Sequence, residues 1–270
     1  MSQGVLIFAF NNESFDYLAM AAWSAKNIHR HLGVPVCVVT NSKDIPNNYE
    51  FDQVIQAEPH SKNSRMFGDF GGIERNDDWY NSNRVDAYSI SPYDQTLVLD
   101  ADYVVASDQL KILFDIDKDF LAHRLAYDIT GRNPFEEHNY FGRQYMPMWW
   151  ATVMMFRRSK STKLLFDSML MIRQHWTHYR NLYGNTRFVY RNDHALSIAL
   201  GIVNGHTLDH PEIPWGLATL LPGSQLTRLD TDSYRIDFQT PDQQQKYITV
   251  TNQDFHVMGK FQLGVMIANT

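Results

Sequence analysis

The chain has 270 residues, 44% hydrophobic and 20% charged, which excludes a disordered protein and leaves room for one large α/β domain or two small ones. Its single cysteine, Cys37, excludes a disulfide framework and points to a reducing, cytoplasmic setting. The net charge is −6, yet residues 157–191 alone carry +7, from Arg157, Arg158, Lys160, Lys163, Arg173, Arg180, Arg187 and Arg191 against Asp167.

In chain order, Gly4–Phe10 is a short apolar run that predicts a buried parallel strand. It has no positive flank, so it does not read as a secretion signal, and nothing approaches the ~20 apolar residues of a membrane span. Residues 11–14 have turn and cap chemistry, with Asp16 expected in the first turn of a helix over Phe15–Leu32. Gly33 ends that helix, and Val34–Thr40 is a second buried strand, completing a right-handed βαβ unit. Asp52–Gln56 predicts a third strand. Residues 59–78, polar and with Gly68, Gly71 and Gly72, predict a mobile surface loop.

A helix is expected over Asp78–Ser89, stopped by Pro92. Thr96–Leu99 is a buried strand ending in Asp100-Ala101-Asp102, with Tyr103–Val105 continuing it. Further strands are expected at Phe120–His123 and Thr152–Phe156, with an irregular aromatic stretch, Tyr127–Pro147, between them. Leu165, Met169, Ile172, Trp176, Tyr179 and Tyr183, spaced 4-3-4-3-4, predict one helix over Lys163–Tyr183 whose stripe packs a core. Asp193–Leu200 is a shorter helix. Tyr234–Phe238 and Lys246–Thr251 flank Pro241-Asp242 as a hairpin.

Two carboxylates at i and i+2 after an all-apolar strand can both reach one point. Hard oxygen ligands of this kind suit Mg²⁺ or Mn²⁺ shared with phosphates, at the strand end where open α/β sheets bind ligands. Taken alone, an Asp-x-Asp pair such as Asp100 and Asp102 is more commonly a pair of caps or a surface turn.

In its context, Leu97-Val98-Leu99-Asp100-Ala101-Asp102 resembles the Asp-x-Asp strand of GT-A glycosyltransferases, particularly the glycogenin-like and galactosyltransferase-like group (family 8). Arg84 precedes it where that group has a basic residue near the diphosphate. Trp150-Ala151-Thr152-Val153-Met154-Met155 resembles its Asn-Ala-Gly-Val-Leu-Leu strand, with Trp150 and Thr152 departing from it. Asp254–Lys260 resembles its His-x-x-Gly-x-Lys element, although Lys260 follows Gly259 directly. Arg191–Leu196 partly matches its Asp-Gln-Asp-x-x-Leu helix start, with Asp193 on the Gln that faces the anomeric carbon.

The resemblance implies an α/β, single GT-A (Rossmann-like) domain over 1–270, with a mixed, mainly parallel central sheet and a C-terminal hairpin and metal-ligand segment. Residues 1–105 would form the nucleotide-sugar half and 106–270 the acceptor half. It further implies a retaining glycosyltransferase using a UDP-sugar, with Mn²⁺ or Mg²⁺ held by Asp100, Asp102 and His256. Arg84, Gly259 and Lys260 would meet the diphosphate, and Phe10, Asn11 and Asn12 the base and ribose. Trp149 and Trp150 would floor a sugar pocket, or simply fill the core. Asp193 would act at the sugar, the competing reading being that Asn192 or Asp193 caps a helix.

The stretches YNSNRVDAY, PMWWATVMMF and RNDHALSIALGIV are similar to phage-encoded glycosyltransferases. Together with the basic segment 157–191, this suggests hydroxymethylpyrimidine in phage DNA as acceptor, the rival being a lipopolysaccharide or other saccharide. Two other classes are a sugar-nucleotide-binding protein without turnover and a haloacid-dehalogenase-type phosphatase. The latter needs its Asp-x-Asp near the chain start.

Overall fold

A computed structural model describes residues 1–68, 74–80, 82–132, 139–185, 189–207 and 209–270. The opening follows the apolar pattern closely. Strand β1 (Gln3–Ala9), helix α1 (Tyr17–His31) and strands β2 (Val36–Thr40) and β3 (Gln53–Gln56) form a parallel three-stranded start. Asp16 is the cap of α1 itself: its carboxylate accepts from the Ala19 N–H at 2.9 Å. Gly33, with φ +67°, closes the helix in the left-handed conformation that glycine adopts without strain.

The expected loop at 59–78 is instead largely a hairpin, β4 (Asn63–Gly68) with β5 (Glu74–Trp79). Its strands are polar and lack an apolar alternation, so periodicity gave no signal; Gly71 and Gly72 lie outside the described residues. The helix expected over Asp78–Ser89 shrinks to a 3₁₀ turn at Ser82–Asp86 and α2 (Ala87–Ile90), because Trp79 is still strand and Ser91, before Pro92, is extended at ψ 133°.

Strand β6 (Gln95–Asp100) pairs with the other edge of β1, in parallel. The chain then turns at Ala101-Asp102, and β7 (Tyr103–Val104) enters a second sheet rather than continuing β6. There follow β8 (Phe120–His123), β9 (Ala126–Asp128), the short pair β10 (Tyr140–Phe141) and β11 (Met146–Pro147), and β12 (Trp150–Arg157). The long aromatic-striped helix is broken at His175 into α3 (Lys160–Gln174) and α4 (Trp176–Leu182). Helix α5 (Asn192–Val203), β13 (Leu217–Leu220), the meander β14 (Ser224–Arg228), β15 (Ser233–Gln239) and β16 (Gln245–Thr251), β17 (Phe255–Val257) and α6 (Lys260–Ala268) complete the chain.

The fold is mixed α/β. Its central sheet has the order β3-β2-β1-β6-β12-β8, with β12 alone antiparallel. A second sheet has the order β7-β17-β13-β9. Side chains alternate between two cores: Val5, Ile7, Leu97, Leu99 and Val153 face the α1 side, while Leu6, Val98 and Met154 face α3 and α5. Leu165, Met169 and Ile172 are buried in the second core, as the stripe predicts. Strands β2 and β3 lie to one side of β1 and β6 to the other, so the order reverses between β1 and β6. Open α/β sheets bind ligands at the carboxyl ends flanking such a reversal.

His123, at the end of β8, is fully buried with Nδ1 2.9 Å from the Trp215 carbonyl, and burial pushes its pKa down to about 4. A histidine held neutral stabilises the fold fully above its unfolded value of 6.5 and loses that contribution as pH falls towards about 4, since the unfolded chain protonates first. His123→Gln keeps a donor for that carbonyl but does not titrate. Between pH 7 and 4 the wild type is expected to lose about 3 kcal/mol relative to this variant in urea melts. Parallel stability curves would contradict this.

Candidate active site

Strand β6 is buried along its whole length, which carries Asp100 to the sheet's carboxyl edge, and the following turn presents Asp102. The Val257 N–H donates to the Asp102 carbonyl at 3.0 Å and docks β17 against that turn. His256 is in register with Tyr103 on one side and Thr219 on the other. Its Nε2 is consequently 3.5 Å from Asp102 Oδ2 and 4.0 Å from Asp100 Oδ2. One ligand atom from each of the three side chains lies within 4.8 Å of the others. Two carboxylates and an imidazole on this scale fit a divalent ion of the Mn²⁺ or Mg²⁺ kind.

Two cations stand against the carboxylates. Arg84, in the 3₁₀ turn, pairs with Asp100 and donates to the Ala151 carbonyl at 2.9 Å; Lys260, the first residue of α6, pairs with Asp102. Burial would raise the Asp102 carboxyl, but Lys260 and then His256 outweigh it and hold it well below the usual carboxylate range. Burial pushes His256 down, favouring the neutral imidazole that ligates metals. An incoming ion must displace these internal counterions. Lys260→Met is therefore expected to bind Mn²⁺ alone roughly tenfold more tightly, as followed by electron paramagnetic resonance. Unchanged or weaker binding would count against the pairing.

The third charged group is set by an irregularity in β12. Its register against β8 shifts between Trp150 and Met154, which takes the Ala151 peptide out of the ladder. Asp193 Oδ1 accepts the freed Ala151 N–H at 2.9 Å, while Arg84 takes its carbonyl. Asp193 Oδ2 pairs with Arg191 Nη2 at 2.8 Å. Burial would raise Asp193, but Arg191 and the Ala151 N–H more than offset it, leaving the carboxyl below its ordinary value. The capping alternative does not hold: Arg191 is the N-cap of α5, no side chain caps the helix there, and the Asp193 carboxylate reaches β12 instead.

These groups line one cavity of about 90 Å³, where Arg84, Asp100, Asp102, Asp193, His256 and Lys260 share the lining with an aromatic wall. Phe10 and Trp150 belong to that wall as the sequence suggests; Phe8, Tyr17, Trp79 and Tyr80 join them unforeseen, as do Arg191 and Thr219. The pair Trp79-Tyr80 at the end of a polar hairpin is a signal that could have been read; Thr219 carries none.

Four expected residues are not among the lining. The Asn11 amide receives the Leu18 N–H and donates to Asp16, and Asn12 binds the N–H groups of Ser14 and Phe15 and the Asp78 carbonyl. Both are turn residues. Trp149 is a core residue, edge-on to His210 at 5.2 Å beside a separate cavity. Gly259 is the N-cap of α6, and it is Lys260 that reaches into the site despite the shortened spacing.

Much of the basic segment is tied to other groups of the protein. Arg157 pairs with Asp117 and holds the Phe114 and Ile116 carbonyls, and Arg158 holds those of Ser91 and Tyr93. Lys163 pairs with Asp167, Arg173 with Asp86, and Arg191 with Asp193. Arg187 lies outside the described residues. No helix among the described residues is long and apolar enough to cross a membrane.

No protein-family model and no curated protein matches the chain. Among solved structures it is similar to the glycosyltransferase GlyE of Streptococcus pneumoniae, at 15% identity and a TM-score of 0.43, over 79% of this chain and 46% of that one. It is also similar to the galactosyltransferase LgtC in complex with donor and acceptor sugar analogues, at 16% identity and a TM-score of 0.46, over 74% of this chain and 70% of that one. A third is mouse xyloside xylosyltransferase 1, at 13% identity and a TM-score of 0.44, over 76% of this chain and 83% of that one. The chain thus spans less than half of the GlyE structure, at 46% of its length.

Proposed function

We propose that the chain is a divalent-metal-dependent glycosyltransferase that moves a sugar from a UDP-sugar to an acceptor hydroxyl with retention. The observation that carries this is the convergence of Asp100, Asp102 and His256, with two cations, at the carboxyl ends flanking the β1/β6 reversal. An ion held there supplies a Lewis acid for the leaving diphosphate. Lys260 and Arg84, once released from the carboxylates, stabilise the charge that grows on the β-phosphate. Asp193, kept ionised by Arg191, stabilises positive charge at the anomeric carbon. The aromatic wall offers faces on which a base or pyranose ring stacks. On this reading residues 1–105 mainly carry the donor and 106–270 the acceptor.

For the acceptor we favour a saccharide. The pairing of Arg157, Lys163, Arg173 and Arg191 with carboxylates of the protein weakens the charge pattern that supported DNA. Hydroxymethylated phage DNA is the rival. Affinity for DNA that falls steeply with salt would reinstate it.

The deciding experiment is thermal unfolding with UDP and a panel of UDP-sugars, with and without Mn²⁺. At a hundredfold excess over Kd a nucleotide adds about 2.7 kcal/mol, a shift of several degrees. A shift that requires Mn²⁺ supports the reading, and no nucleotide effect with any divalent ion would sink it. UDP release from a UDP-sugar then separates an enzyme from a binding protein, and the anomeric proton of the product reports the stereochemistry.

A further inference from the structure

Strand β13 lies between β17 and β9, and its four residues are all buried. Leu217, Ala218 and Leu220 join the core, as a strand covered on both faces requires. Thr219 is the exception. It is 2% exposed, and its Oγ1 has no hydrogen-bond partner among the described residues. A buried hydroxyl without a partner lowers stability, whereas valine would suit the same strand position without that penalty.

The surroundings show where a partner can come from. Thr219 pairs in parallel register with His256, so the two side chains leave the same face of the sheet about 4.8 Å apart. Both line the cavity that holds Asp100 and Asp102. On the opposite side Thr219 is in register with Asp128, whose carboxylate is already occupied. It accepts from the Thr130 N–H and hydroxyl and from the Arg132 N–H, and pairs with the Arg132 guanidinium. With the Asp128 carboxylate taken, the cavity that Thr219 lines beside His256 is where a partner for its hydroxyl can enter.

We propose that Thr219 is a further substrate-binding residue. Its hydroxyl donates a hydrogen bond to an oxygen carried by the ion that Asp100, Asp102 and His256 would hold. That oxygen belongs either to the donor diphosphate or to coordinated water. The assignment rests on the reading of this cavity as a site for a divalent ion and a UDP-sugar. It adds a group that neither the Asp-x-Asp pattern nor the C-terminal element contains.

The test compares the full chain with Thr219→Val and Thr219→Ser. Mn²⁺ alone is titrated by electron paramagnetic resonance, and UDP in the presence of Mn²⁺ by calorimetry. Thr219→Val is expected to bind UDP roughly tenfold more weakly. Its melting temperature should stay at or above that of the wild type, which rules out unfolding as the cause. Thr219→Ser, which keeps the hydroxyl, should recover most of the affinity. A loss confined to UDP identifies the diphosphate as the partner, and a loss already present with Mn²⁺ alone identifies coordinated water. Thr219→Val binding both probes like the wild type would overturn the assignment, as would Thr219→Ser behaving like Thr219→Val. Wild-type protein that binds Mn²⁺ but no UDP overturns the donor reading instead, and the Mn²⁺ titration still decides Thr219.

Discussion

Replacing Asp102 with asparagine is expected to lower the proposed sugar transfer by on the order of 10³-fold, because an ion held there to neutralise a leaving diphosphate would lose a ligand worth several kcal/mol of transition-state charge. The same substitution takes from the buried Lys260 cation the carboxylate that balances its charge, which costs about 3 kcal/mol of stability. Those two effects are separable. Adding Lys260→Met to Asp102→Asn removes the stranded charge, so the double variant should regain most of the thermal stability. It should regain none of the activity, since Lys260 also serves the diphosphate. Urea melts and UDP release on the two variants check both halves. An Asp102→Asn protein that folds normally and still turns over at the wild-type rate would dismiss Asp102 from the metal site.

The second large effect is expected at Asp193. Asparagine is nearly the same shape and can still accept the Ala151 N–H, so the local structure should survive. What it lacks is the negative charge that Arg191 maintains. Loss of a carboxylate acting at the anomeric carbon typically costs 10²- to 10⁴-fold, about 10³-fold here, in kcat. UDP affinity should change little, because on the proposed reading the nucleotide end of the donor meets other residues. Single-turnover rates with calorimetry separate the two quantities. An unchanged kcat with weakened UDP binding would make Asp193 only a brace for β12 and Arg191.

The central strands were legible because they are apolar on both faces and bounded by residues with turn chemistry. The grouping of Asp100, Asp102 and His256, which could hold a metal, was legible through residue type and order along the chain: a carboxylate pair after a buried strand, then a histidine near a glycine and lysine. What escaped was decided by pairing across strands. Nothing local in Tyr103-Val104 announces that it leaves the sheet of β6 for that of β17. The hairpin at 63–79 is held by backbone pairing between polar strands, which periodicity does not register. Asn11 and Asn12 have the right chemistry for a ribose, but a residue type does not disclose whether its hydrogen bonds are already in use. The basic segment is a similar case: charge can be counted along a sequence, but the carboxylates that pair with Arg157, Lys163, Arg173 and Arg191 cannot. Tyr17 and Thr219 reached the cavity through packing between elements far apart in the chain.

The bond from the Val257 N–H to the Asp102 carbonyl joins residues 155 positions apart, and with the pairing of β17 to β7 and β13 it sets His256 beside the carboxylates. Closing so long a loop is entropically slow, and contacts of this range tend to form late in folding. During synthesis the carboxylates emerge well before β17 exists to complete them, so the growing chain holds an acidic pair without its histidine. The trio is thus a record of chain closure. In a refolding experiment, tight Mn²⁺ binding should appear only with the last kinetic phase, after the central sheet has formed its far-ultraviolet signal.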